Sequence, residues 1–146
     1  MEVEVALYEG MDTVIKTLKE SYMLAIVSST SKGGITYHLA RNNLLQYFSD
    51  ILGREIHHSK VEKMKMIFER HNVFSQNCIY ITDTLGDMRE AKEHEMATIG
   101  VSWGVHPRET LEQGIPFRIV EKPEELPDAI ADYFAHSAAE SNIEAP

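Results

Sequence analysis

The stretch Cys78-Ile-Tyr-Ile-Thr-Asp-Thr-Leu-Gly-Asp87 decides how the chain reads. Cys78–Ile81 is short and apolar, the pattern of a strand covered on both faces. It gives out at Thr82. Asp83 stands where the strand ends, and Asp87 stands in the turn or first helical turn beyond it. Outward from this segment, helical and strand periods alternate. Met11, Val14, Ile15 and Leu18 predict a helix before the apolar run Met23–Val27. Tyr37, Ala40, Leu44 and Phe48 predict a second helix, and Ile51-Leu52 a brief strand. Val61, Met64, Ile67, Phe68 and His71 form the clearest amphipathic stripe. A helix over 85–94, a strand over 97–101, a helix from Pro107 to near Gly114, a strand over 117–120 and a helix opened by Leu126-Pro127 follow. This alternation predicts an α/β fold with a doubly wound parallel sheet, over residues 1–135 as one domain, with 136–146 as a flexible polar tail. In such sheets ligands bind beyond the carboxyl ends of the strands.

Composition narrows the function classes. The 146 residues carry a formal net charge of −9, which excludes a generic nucleic-acid binder. A phosphate-bearing ligand must then be held by a local device against the global field. No apolar run approaches the roughly 20 residues of a membrane span, and the acidic start is no secretory signal. A single cysteine, Cys78, makes cytoplasm the expected compartment.

Three clusters stand at predicted strand ends. Ser28-Ser29-Thr30-Ser31, then Lys32-Gly33-Gly34, joins hydroxyls to backbone N–H groups at a helix start: an anion site, or simply a capped helix. Asp83 and Asp87 read either as carboxylates sharing a divalent cation or as a turn former and a helix-dipole partner. Lys60, in a first helical turn, opposes the helix dipole, which makes it a candidate for a role; a solvated face with Glu62, Lys63 and Lys65 is the alternative. His57-His58 reads as a solvated loop pair, since neighbours on a strand face opposite ways. Trp103 and His106 lie on the same edge, with Trp103 read as packing. Met64, Met66, Met88 and Met96 read as core filler.

In order and spacing these pieces resemble the haloacid dehalogenase superfamily, mainly Mg²⁺-dependent phosphohydrolases. Leu7-Tyr-Glu-Gly10 resembles the return of that family's chain from its cap domain. Ala25-Ile-Val-Ser-Ser29 resembles its second motif, Lys60 its third-motif lysine, and Ile81-Thr-Asp-Thr-Leu-Gly-Asp87 its fourth, with Thr82 where glycine is more usual. Gly100-Val-Ser-Trp-Gly104, Pro107 and Leu111 resemble its continuation. The resemblance implies that Ser28 and Ser29 with Lys60 hold phosphate, that Lys60 is catalytic, that Asp83 and Asp87 carry Mg²⁺, and that the partner is a small phosphorylated substrate or phosphate. No Asp-x-Asp, the family's first motif and source of its nucleophile, occurs in the 146 residues. By resemblance the chain is the C-terminal two-thirds of such a core without its central strand, expected inactive as given. Its sheet would lack the neighbour of the strands ending at Val27 and Ile81. The alternating segment Glu2–Tyr8 is expected to fill that place from its own chain or, as a homodimer, from a second one. Two other readings stand beside this one: a non-catalytic phosphate- or metal-binding regulatory module on the same scaffold, and an unrelated flavodoxin-like or receiver-like domain.

Overall fold

The computed structural model describes residues 9–144, with side chains through residue 138. Its elements are α1 (Met11–Lys19), β1 (Ala25–Val27), α2 (Lys32–Arg41), β2 (Asp50–Leu52), α3 (Lys60–His71), β3 (Ile79–Thr82), α4 (Leu85–Lys92), β4 (Ala97–Val101), α5 (Arg108–Leu111), β5 (Arg118–Val120) and α6 (Leu126–Glu144). Short 3₁₀ turns sit at Leu45–Tyr47, Ser75–Asn77, Glu112–Gly114 and Pro123–Glu125. The expected strand Glu2–Tyr8 lies outside the described residues.

All strand pairs are parallel, and they form two ladders, β1-β2 and β3-β4-β5. Parallel strands need cover on both faces, and alternation along them supplies it. Ile26, Ile99, Val101 and Val120 face a core built with Met11, Val14, Ile15 and Leu18 of α1 and with Leu126, Ala129 and Ile130 of α6. Val27, Leu52 and Tyr80 face Met64 and Ile67 of α3 and Ala91 of α4. The stripe read from Val61–His71 therefore packs as expected, and Met64, Met88 and Met96 are buried filler.

The second predicted helix is corrected in register and length. α2 ends at Arg41 and buries Ile35 and Leu39, whereas Tyr37 is 59% exposed and Leu44 lies beyond the helix. The cause is the Asn42-Asn43 pair: Asn43 takes φ 56°, a left-handed conformation that asparagine tolerates and that stops a helix. The last helix runs on to Glu144, through the segment whose composition suggests a tail; the alanines and glutamates there are good helix formers.

β2 is tied to the end of α3. Asp50 accepts from Arg70 Nη1 at 3.1 and 3.2 Å and pairs with His71 Nε2 at 2.9 Å. Both partners lie in the last helical turn, where cations are favoured. Burial pushes the Asp50 carboxyl up, but the hydrogen bonds from His71 and Arg70 outweigh it and hold it below its ordinary value of 3.8. A depressed carboxyl contributes stability that is whole above the unfolded value and lost as pH falls through the folded one. Asp50→Asn will accordingly lower stability at neutral pH and flatten the acid limb of the stability–pH curve, measured by urea unfolding from pH 7 down to pH 2. An acid limb unchanged in Asp50→Asn would contradict this assignment.

Candidate active site at the carboxyl ends of β1 and β3

β1 ends in Ser28, which is fully buried. Its amide donates to Leu52 O at 2.9 Å, continuing the β1-β2 ladder, and its Oγ accepts from Thr30 N at 3.0 Å. Ser29 is exposed one residue on. Ser31 caps α2, accepting from Gly34 N at 3.2 Å, and the Lys32 amide donates to Glu55 Oε1 at 2.7 Å. The helix start is thus capped by a hydroxyl and a carboxylate, the second of which a sequence scan does not find. Gly53 makes this junction possible, since a Cβ there would meet Lys32 N and Glu55 Oε1 at 2.5 Å.

β3 ends in Thr82 and Asp83, 1% and 2% exposed. Thr84 caps α4 by accepting from Asp87 N at 3.2 Å, which places Asp87 in the first turn, where a carboxylate is favoured by the helix dipole. Both Asp87 oxygens are engaged: Oδ1 with Lys60 Nζ at 2.8 Å, Oδ2 with Thr82 Oγ1 at 2.7 Å. Lys60, buried at the start of α3, is further tied down through its amide, which donates to Glu90 Oε2 at 2.9 Å. Lys60, Asp87 and Thr82 therefore form one buried network, and of the two readings of Lys60 the solvated face is excluded.

Asp83 is held differently. Its Oδ2 accepts from Val105 N at 2.9 Å and its carbonyl accepts from His106 N at 3.0 Å, while His106 Nδ1 accepts from Leu85 N at 3.0 Å. The loop after β4 thereby clasps the loop after β3. Asp83 Oδ1 is buried and, among the described residues, has no hydrogen-bond partner. A buried carboxylate oxygen left so is costly unless a cation or a proton joins it. Its donor chemistry fits Mg²⁺, which takes carboxylate oxygens and keeps several waters. Among the described residues no three His, Cys, Asp or Glu side chains cluster as a ready metal cage; Asp83 and Asp87 alone would be a thin ligand set.

Two features escaped the sequence. Lys63 is fully buried and donates from Nζ to Ser28 O at 2.5 Å, linking α3 to the end of β1. Its signal was its spacing: three residues after Lys60, it shares that helix face, while Glu62 and Lys65 are exposed. Thr82 was seen only as a departure from glycine, yet its hydroxyl donates to Asp87 and accepts from Thr84 N at 3.2 Å. Thr82→Val will leave Asp87 Oδ2 without its donor and cost about 1–3 kcal/mol, read by chemical unfolding; a neutral outcome would show the bond to be dispensable. His57 and His58 are exposed, as expected of a loop pair, and Trp103 packs on the core.

The sequence profile of the haloacid dehalogenase-like hydrolases matches residues 1–101. The chain belongs to that family. Among its curated relatives, a pyrophosphatase PpaX of Listeria welshimeri is 30% identical over 129 residues, covering 86% of this chain and 59% of that protein. A phosphoglycolate phosphatase of Synechococcus elongatus is 26% identical, covering 85% of this chain and 59% of its own length. The solved structure of a predicted phosphatase from Clostridium acetobutylicum superposes with a TM-score of 0.79 at 25% identity, over 86% of this chain and 60% of that one. The chain thus spans about 59% of the length of the curated relatives it matches. As a haloacid dehalogenase-like hydrolase it places its polar network where the fold class puts ligands, at the carboxyl ends of parallel strands. Among the described residues no helix is long and apolar enough to cross a membrane.

Proposed function

We propose that these 146 residues are the phosphate- and Mg²⁺-holding part of a phosphohydrolase core, working on a small phosphorylated substrate in the cytoplasm. The observation that carries the reading is the buried, unpartnered Oδ1 of Asp83 at the end of β3, together with the buried Lys60–Asp87 pair that Thr82, the last residue of that strand, holds. Asp83 and Asp87 would hold Mg²⁺, which when bound neutralises charge on a phosphoryl group. Ser28 and Ser29 would take phosphate oxygens at the end of β1. Lys60 balances the anionic charge of the site from a position fixed at both its ammonium and its amide. Charge balance positions a phosphate but does not attack phosphorus, and the Asp-x-Asp that the family resemblance makes the nucleophile is absent from these residues.

Inorganic phosphate followed by its ³¹P resonance tests this. The line will broaden in the presence of Mg²⁺ and the protein, and the broadening will be lost in Ser28→Ala. The same chain will release no phosphate from an aryl phosphate above background. Mg²⁺-dependent release abolished by Lys60→Ala would contradict the account and assign the nucleophile's part to another residue.

A further inference from the structure

The first turn of α3 carries two buried lysines, and they reach different strand ends. Lys60, 5% exposed, donates from Nζ to Asp87 Oδ1 at 2.8 Å, beside the end of β3. Lys63, 0% exposed, donates from Nζ to the Ser28 carbonyl at 2.5 Å, at the end of β1. Their i, i+3 spacing puts both on one helix face, while β1 and β3 belong to separate ladders.

Ser28 is held at each of its polar atoms. Its amide donates to Leu52 O at 2.9 Å, its Oγ accepts from Thr30 N at 3.0 Å, and its carbonyl accepts from Lys63. β2, the loop after β1 and α3 thus fix one atom each. The hold on the carbonyl acts beyond Ser28 itself. In a planar trans peptide the Ser28 carbonyl and the Ser29 N–H point opposite ways. An ammonium that draws the carbonyl toward α3 therefore turns the N–H of Ser29, an exposed residue, away from α3. It also polarises the peptide, which makes that N–H a stronger donor. Taking an ammonium group out of water is costly even where partners repay part of it. Methionine would fill the same volume without that cost, so packing alone does not call for lysine here.

We propose that Lys63 is a positioning residue for phosphate: through the Ser28 carbonyl it orients and polarises the Ser28–Ser29 peptide, so that the Ser29 N–H meets a phosphate oxygen. This rests on the reading of Ser28 and Ser29 as the phosphate end of the site. Lys60 then serves the carboxylate half and Lys63 the phosphate half, and one helix start keeps both in place.

Inorganic phosphate with Mg²⁺, followed by the ³¹P line and by the amide and lysine side-chain resonances of the protein, tests this. In the unaltered chain phosphate will shift the Ser29 amide and the Lys63 side chain and leave Lys65, exposed on the same helix, unmoved. Lys63→Met will weaken phosphate binding on the order of tenfold or more, the worth of a hydrogen bond to a charged group. It will keep the amide resonances of Val105 and His106, which report the Asp83 side of the site. Lys65→Met removes the same charge from the surface and will leave the affinity within about twofold, since exposed charges are screened. Full phosphate affinity in Lys63→Met would overturn the proposal, and so would equal losses in the two variants, which would reduce the effect to net charge. A folded Lys63→Met that also loses the Val105 and His106 resonances would overturn it too, by making Lys63 a support of the whole site. A Lys63 side chain that bound phosphate does not move in the unaltered chain would overturn it whether or not the variant folds. No broadening of the ³¹P line by the unaltered chain would instead remove the phosphate reading itself, and this proposal with it.

Discussion

Lys60→Ala will cost the chain about 3–5 kcal/mol of stability, because it leaves the carboxylate of Asp87 buried without its cation. The two side chains are 7% and 8% exposed, so solvent cannot take the ammonium's place. The loss comes from the orphaned charge rather than from any large net worth of the pair. A companion variant separates the two. Lys60→Met with Asp87→Leu removes both charges at similar volume and will recover most of the stability, as replacement of buried pairs by apolar groups often does. Chemical unfolding of the single and double variants measures this directly. A single variant within 1 kcal/mol of the parent would show that the network contributes little.

Gly104→Ala will have the second largest effect, and it acts through Asp83. A Cβ at Gly104 would collide with the Oδ2, Cβ and Cγ atoms of Asp83, none of which has room to withdraw in a residue 2% exposed. Overpacking of this kind costs about 1–3 kcal/mol. It also displaces the carboxylate that accepts the Val105 amide, so any Mg²⁺ response will disappear with it. Gly86→Ala is the control within the same site. Nothing lies within 4 Å of a Cβ at Gly86, which sits inside α4, so alanine there will be neutral or stabilise by about 0.5–1 kcal/mol. Opposite signs at two glycines of one site, read by thermal unfolding, are a sharper result than either alone. Equal losses at both would mean that backbone conformation at each glycine, and not the contact with Asp83, decides the outcome.

Where local period and burial agree, the chain was legible before any coordinates. α3 and β3 follow from Val61–His71 and Cys78–Ile81 because each is long enough for its period to show and each packs on its expected face. The strand ends then place Ser28, Lys60, Asp83 and Asp87 on one edge. The partners of these residues were not legible, because they come from far along the chain: Glu55 at the start of α2, Glu90 on the Lys60 amide, Val105 on Asp83. Lys63 was obscured by composition, since among Lys60, Glu62, Lys63 and Lys65 only three-dimensional packing shows which two turn inward. The failure at α2 has a local cause. Leu44 and Phe48 continue the helical spacing of Tyr37 and Ala40, but the left-handed Asn43 interrupts the helix between them. Spacing counts positions and cannot see a reversal that one residue makes.

The central claim is that Asp83 and Asp87 form a cation site at the end of β3, and a Mg²⁺ titration followed at the backbone amides tests it most directly. The account predicts weak, saturable shifts centred on Leu85, Val105 and His106, the amides that frame Asp83, and their disappearance in Asp83→Ala. The absence of any saturable shift, or the same titration in Asp83→Ala, would contradict it.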